Sequence, residues 1–376
     1  MKIQLSSDTL SQILSGLVKV LNTKNSLAIL DHYLIEVTGM MMTIVASDGE
    51  NTMKFLSILQ ESDVQSSETV RFCIHSRMLE DFLKNLPTQP ITISKGDTGL
   101  TVEYDNGQIN IPVVDGKDYP KLREMTGDCK TVKLPGNIML EDISRASSFV
   151  AMDTFRPVMN TICFYFKNEC LDVVGTNGQV MIKSSHSNIN TEEETYFLLP
   201  PKPAALLKHS LSKDEGEISI KFNANTAQIL GTNWELTCQL VEGKYPNYNS
   251  VIPKDNDKTL LIDKRALQEA IRRIMPMNNQ EMKTIKMELD TTALTISCED
   301  VDFNTSAKET MTCEYDGNPL TIGVNGGKFN SILATMPSDK VRCTFSDYNR
   351  SFLVMPDEEN GENDVVALMM PHFLNN

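Results

Sequence analysis

The sequence predicts an α+β chain of three repeated domains, each with two helices packed on curved antiparallel sheets. Three observations predict it: two apolar patterns that each occur three times, a strand-dominated remainder, and two polar, turn-rich breaks. In the first pattern Ile3 and Leu5 alternate as a strand does, and Leu10 and Leu14 follow at helical spacing. It returns at Val132, Leu134, Met139 and Ile143, and again at Leu260, Ile262, Leu267 and Ile271. Leu5, Leu134 and Ile262 stand 129 and 128 residues apart. In the second pattern Ile74, Leu79, Phe82 and Leu86 match Leu199, Ala204, Leu207 and Leu211, then Val324, Phe329, Ile332 and Met336, with an offset of 125 residues both times. A period of this length is domain-sized, far above that of a solenoid repeat.

Taken in order, the periodicity predicts helices over 8–21, 76–86, 137–148, 202–211, 264–276 and 326–336. Ser6, Ser7 and Asp8 offer N-caps to the first of them. Strands at 91–94 and 100–104 alternate around Gly96, Asp97 and Gly99. Asp105-Asn106-Gly107 reads as a hairpin turn into 108–112, because Asn-Gly accepts the positive φ of a tight turn. Further alternation runs through 162–166, 218–222, 285–289 and 352–355. The turn-rich stretches 121–130 and 253–258 set the boundaries, giving domains 1–125, 126–253 and 254–376. With one amphipathic face per helix, both helices of a domain are expected on the same side of its sheets.

The 376 residues, 40% hydrophobic, suit a soluble globular protein with several cores. The first ten residues lack an apolar signal core and no run of 18 apolar residues occurs, so a cytoplasmic protein with no membrane partner is expected. Eight cysteines are spread singly, six of them in strand-like apolar runs, which predicts reduced, buried thiols. The five histidines have no ligand spacing to a cysteine, so neither a metal nor a cofactor is expected. The net charge of −15 argues against phosphate binding, yet its distribution argues the other way. The six expected helices together carry +5, which leaves −20 for the rest of the chain. The helices form a basic set inside an acidic protein, although exposed helix faces also carry Lys and Arg for solubility alone.

Two segments imitate ligand loops. Gly323-Val324-Asn325-Gly326-Gly327-Lys328 resembles a phosphate loop, but Phe329 stands where Ser or Thr is required and is itself a helix anchor of the repeat. The acidic run 357–364 departs from the EF-hand ligand order and reads as a solvated hairpin tip. Trp234 sits in a strand run and is expected in the core. No catalytic motif is present, and a non-enzymatic protein is expected.

Three further segments carry a family resemblance: Leu240-Val241-Glu242-Gly243-Lys244-Tyr245-Pro246-Asn247-Tyr248 closed by Val251-Ile252-Pro253, Val174-Gly175-Thr176-Asn177-Gly178, and Leu368-Met369-Met370-Pro371. With the threefold repeat and the 26–30 segment, they resemble the bacterial sliding clamps, the beta subunits of DNA polymerase III, over the whole chain in register. The resemblance implies the DNA-clamp fold and a head-to-tail homodimer whose six domains ring duplex DNA and tether the replicative polymerase. Twelve helices would then line a hole of roughly 20–28 Å at the usual helix spacing, comparable with a B-form duplex. The partners implied are encircled duplex DNA, the replicative DNA polymerase subunit, a clamp loader ATPase and other clamp-binding repair and replication proteins.

By position, Lys24, Arg77 and Lys202 fall where the family contacts DNA. Arg145, Lys208, Lys264, Arg272, Arg273 and Lys328 are added from the helix charge. Asp153 departs from the neutral polar residue frequent at its position, which puts that contact in doubt. The resemblance also implies a cleft for short apolar peptides, lined by Met159, Thr176, Gly178, Met181, Pro246, Val251, Leu368, Met370 and Pro371, with Arg156 and Ser351 at its edge. Methionine suits such a lining because thioethers adapt to several partners. Gln179 and Val180 replace a basic pair, and His372-Phe373-Leu374-Asn375-Asn376 replaces a shorter tail, both expected at the rim. The dimer contact is expected at Ile109, Met275 and Met277. Two other classes compete with the clamp: a hydrolase or transferase with its site between repeats, and an acidic three-domain scaffold that never encircles DNA. The solution state discriminates, since a clamp is a dimer of twice 42.1 kDa.

Overall fold

The protein is described from a computed structural model that covers residues 1–376 apart from 26, 97–98, 154, 168, 190–192, 280, 358–362 and 375–376. Among the described residues it holds α1 (Ser7–Leu17), α2 (Ser76–Lys84), α3 (Gly136–Ala146), α4 (Pro201–Leu211), α5 (Lys264–Ile274) and α6 (Gly326–Thr335). The starts of α1, α3 and α5 keep the 129- and 128-residue offsets, and those of α2, α4 and α6 keep the offset of 125. Each helix leaves a strand directly: Lys2–Ser6, Thr69–His75, Lys130–Pro135, Thr195–Leu199, Lys258–Asp263 and Leu320–Asn325. The apolar anchors of both patterns are buried, except that Phe82 and Leu86 are only half-buried.

The expected helix ends differ in a consistent way. The apolar spacing of α1 runs on to Leu21, but the chain tightens after Leu17, with the Val20 and Leu21 amides bonded to carbonyls three residues back. α5 passes into a single 3₁₀ turn at Met275–Met277, where Pro276 has no amide to continue the ladder. Capping also differs from expectation at α1. Ser6 occupies the N-cap without a side-chain bond, and the Ser7 hydroxyl donates instead to the Pro87 carbonyl. Asp263 and Asn325 do cap α5 and α6, accepting from the Ala266 and Lys328 amides at 2.7 and 3.0 Å. Asn325 therefore fills the helix end that the glycine-rich segment would offer to a phosphate.

The strands pair antiparallel throughout, and the chain falls into two compact units. One comprises residues 1–140 with 202–240, the other 141–201 with 241–376, so the middle repeat contributes to both. In the first unit, Trp234–Gln239 of the middle repeat pairs with Asn51–Ile58 of the first, Trp234 opposite Phe55. This joins both repeats into one 13-stranded sheet. In the second unit, Val180–His186 of the middle repeat pairs with Asn363–Met369 of the third, in a nine-stranded sheet. A separate four-stranded sheet completes that unit, with Thr305–Thr312 at its edge.

The hairpin at 105–106 forms as expected, with Tyr104 opposite Gly107. Its backbone does not: neither Asn106 nor Gly107 has a positive φ. A Cβ at Gly107 would sit 2.9 Å from the Tyr104 hydroxyl, so a larger residue there would require that ring to shift. Trp234 is core, its indole N–H donating to the buried Asp214 at 2.9 Å. All eight cysteines are free thiols, and Cys73, Cys163, Cys238, Cys298 and Cys343 are buried. Burial pushes the Cys163, Cys238 and Cys343 thiols up to about 12, so they stay protonated. Among the described residues no helix is long and apolar enough to cross a membrane. Most of the acidic run 357–364 lies outside the described residues.

Candidate functional site

Of the residues expected in the cleft, Thr176, Met181 and Leu368 meet in the second unit, on the seam where the middle repeat's sheet meets the third's. Met181 pairs with Thr176 on one side and Leu368 on the other, and Leu368 pairs in turn with Leu353. Directly paired residues share a face, and there Met181, Leu353 and Leu368 join Cys163, Val174, Leu198, Tyr245 and Tyr248 in a single apolar cluster. Met181 and Leu368 are buried, 2% and 6% exposed, whereas Val251 and Met370 are 55% and 49% exposed.

The turn at 177–179 shapes one edge. Asn177 accepts from the Gln179 and Val180 amides through Oδ1, and Thr176 Oγ1 accepts from the Gly178 amide while donating to the Val180 carbonyl. Gly178 has φ +88°, a conformation that side chains disfavour. Arg156 Nη1 and Met159 Cε lie 3.5 and 3.6 Å from where a Cβ would stand, ordinary contact distances, so the positive φ and not space is what calls for glycine here. Arg156 is exposed and donates to Asp153 Oδ2 at 2.9 Å, so Asp153 serves that guanidinium. Pro246 is exposed, and Ser351 and Pro371 are half-buried.

Two rim expectations need correction. Val180 is buried, 1% exposed and paired with Met369, because the residue after the turn already belongs to the strand. His372 belongs to the third repeat's sheet: its amide donates to the Gly323 carbonyl at 2.8 Å and its Nδ1 meets Thr284 Oγ1 at 2.9 Å. Gln179 is exposed, with its carbonyl accepting from the Met370 amide at 2.9 Å and its side chain from Lys328 Nζ. Phe373 is exposed, while Asn375 and Asn376 lie outside the described residues.

The helix and loop cations divide into two groups. Lys24, Arg77, Lys208 and Arg272 are exposed. The others already meet protein acceptors. Lys202 bonds to Asn22 and Asp48, and Lys264 Nζ donates to the Met336 carbonyl at 2.9 Å. Arg145, its side chain 15% exposed, pairs with Glu141 and Asp142 of its own helix. Arg273 pairs with Glu309 and Glu269. Charge reasoning along the sequence missed Lys19 and Lys213 of the first unit, which flank His209, Lys19 Nζ lying 3.0 Å from its Nδ1. Burial and these two ammonium groups hold the His209 imidazole below its usual range.

Three family models match the chain in succession: the N-terminal domain of the DNA polymerase III beta subunit over 1–123, its central domain over 133–247 and its C-terminal domain over 249–372. The chain belongs to the DNA polymerase III beta subunit family. A beta sliding clamp of Pseudomonas putida is 26% identical over 362 residues, 96% of this chain and 95% of that protein. One of Staphylococcus aureus is 22% identical over 363 residues, covering 95% of each. The fold matches the Pseudomonas aeruginosa sliding clamp bound to griselimycin at TM-score 0.93, with 23% identity and full coverage of both chains. It matches the Thermotoga maritima beta subunit at 0.89, with 19% identity and full coverage of both.

In this beta-subunit frame the apolar residues expected at the dimer contact sit at the surface: Ile109 and Met275 half-buried, Met277 42% exposed. Sequence reasoning missed Asp172, a carboxylate 4% exposed inside the strand Cys170–Thr176, on the same face as Val174 of the apolar cluster. A charged residue in an otherwise apolar strand is the one signal that pointed to it.

Proposed function

We propose that this beta subunit is the processivity clamp of a replicative polymerase. Two copies close head-to-tail through Ile109, Met275 and Met277 into a ring around duplex DNA, with domains 1–125, 126–253 and 254–376. The observation that carries the reading is the succession of three beta-subunit domains over nearly the whole chain, in order. The concentration of positive charge on the helices of a −15 chain supports it. A topological link needs only weak, phosphate-directed contact, which leaves the duplex free to slide. Lys24, Arg77, Lys208 and Arg272 supply that contact, with Lys202, Lys264, Arg145, Arg273 and Lys328 contributing after release from their present acceptors.

The cleft of Met159, Thr176, Gly178, Met181, Pro246, Val251, Leu368, Met370 and Pro371, edged by Arg156 and Ser351, takes a short apolar segment of the replicative polymerase, the clamp loader ATPase or repair proteins. The protein acts in the cytoplasm, catalyses nothing itself and needs no cofactor. The test is primer extension on a singly primed circle with the polymerase and loader of the same organism. Adding the chain is expected to turn short products into full-length ones. Unchanged product length, with the loader active on another clamp, would leave the acidic scaffold as the better reading.

A further inference from the structure

We propose that Asp172 is a positioning residue for the cleft, acting through Tyr248; this rests on the cleft reading above. The wall that carries Pro246 and Val251 is an irregular segment with a single 3₁₀ turn, Tyr248–Ser250. Backbone bonds inside it are local, from Ser250 to Asn247 and from Val251 to Tyr248. Two buried tyrosines tie it to the sheet. The Tyr245 hydroxyl donates to the Val174 carbonyl at 3.3 Å, and the Tyr248 hydroxyl donates to Asp172 Oδ2 at 2.8 Å.

Both acceptors belong to one strand, Cys170–Thr176, whose last residue, Thr176, forms the opposite edge of the cleft. Nearer its start the segment is also tied by the Tyr196 hydroxyl to the Gly243 carbonyl and by the Val241 amide to the Leu198 carbonyl, so the two tyrosines are the hydroxyl ties next to Pro246 and Val251. Asp172 is built for this task. Its other oxygen accepts from Ser185 Oγ at 2.7 Å, and the Lys167 and Lys183 ammonium groups lie 3.3 and 3.8 Å away. A buried carboxylate is costly to keep for stability alone. Here its fixed orientation holds the Tyr248 ring against Tyr165 and the cluster under the peptide seat.

The test uses the full-length protein, labelled griselimycin as the probe, and amide exchange over residues 246–252. Tyr248→Phe and Asp172→Leu are expected to speed exchange in 246–252 and to weaken probe binding about tenfold, the worth of one charged hydrogen bond. Asp172→Asn is expected to stay within about twofold of wild type, because the amide oxygen still accepts from Tyr248 and the Ser185 hydroxyl can accept from its NH₂. A purely structural role would lower thermal stability in all three without this rescue. Unchanged exchange in Tyr248→Phe, or faster exchange with unaltered probe affinity, overturns the inference. Met370→Glu separates the two readings. If probe binding survives that change, the cleft assignment fails; if only Met370→Glu abolishes binding, the cleft stands and the tyrosine tether falls. Should the wild type not take the probe, exchange over 246–252 decides by itself.

Discussion

Lys202 and Asp48 form an ion pair across 154 residues of sequence, with the Asp48 carboxylate buried and the Lys202 ammonium also bound to Asn22 at 2.6 Å. Asp48 in turn accepts from the Glu50 and Asn51 amides and from the Asn51 side chain. Burial raises its pKa, but the bonds from Lys202 and the turn lower it by more. The Lys202 ammonium is thereby held by a carboxylate of its own chain, which on the proposed reading tempers its contact with phosphate.

Asp48→Asn is expected to keep the turn and release Lys202. The slope of log K against log salt for duplex binding should steepen by up to about 0.9, the increment of one phosphate contact. Lys202→Ala should do the reverse in stability, costing about 1 kcal/mol in a urea titration, since the pair is partly exposed. An unchanged salt slope in Asp48→Asn would remove Lys202 from the DNA set.

The same logic ranks the other cations. Single alanine substitutions at Lys24, Arg77, Lys208 and Arg272, all exposed, should each reduce the salt slope by about 0.9. Arg145→Ala should reduce it by less, because Glu141 and Asp142 must first release that guanidinium. Fluorescence anisotropy with a labelled duplex at several salt concentrations reads both.

Val251→Glu and Met370→Glu alter exposed side chains, so folding should be untouched, with Tm within about 2 °C of wild type. Capture of the polymerase should fall at least tenfold, because a carboxylate would then face an apolar segment. Met181→Glu, at a 2% exposed position, should instead unfold the site. Pull-down and melting curves separate the two behaviours.

Much of this was legible in the chain. Burial of one apolar face leaves a period-3.6 trace, so all six helices and the offsets between their starts were readable from Leu10, Ile143 or Ile271. Met181 and Leu368 could be singled out because they sit in recognisable segments. Long-range pairing was not. Nothing local tells that Met181 pairs with Leu368, or that Lys202 meets Asp48, since both depend on partners more than 150 residues away. Val180 and His372 were misplaced at the rim for the same reason. A residue next to a turn is rim or core according to strand register, which the sequence leaves unstated.

Acid should unfold the protein in two stages. Burial, with neighbouring cations at His209 and His372 and the His75 ring beside His32, lowers the pKa of all three imidazoles. The unfolded chain then binds protons first, and stability declines gently below about pH 6.5. Asp48, Asp172, Asp214 and Glu235 are lowered by the hydrogen bonds they accept, which outweigh the opposing effect of burial. Their contribution is present above about pH 4 and is lost as pH falls through the lower folded values. Urea titrations from pH 8 to 3 should show both limbs, His209→Gln flattening the first and Asp214→Asn the second.

Encirclement of duplex DNA is open to direct test. The direct measurement loads the protein on a nicked circular plasmid, washes at moderately high salt, and repeats the wash after linearising the DNA. Retention on the circle with loss from the linear form is the expected result, because a ring slides off an end that contacts alone would not offer. Equal loss from both, with the loader active on another clamp, would contradict it.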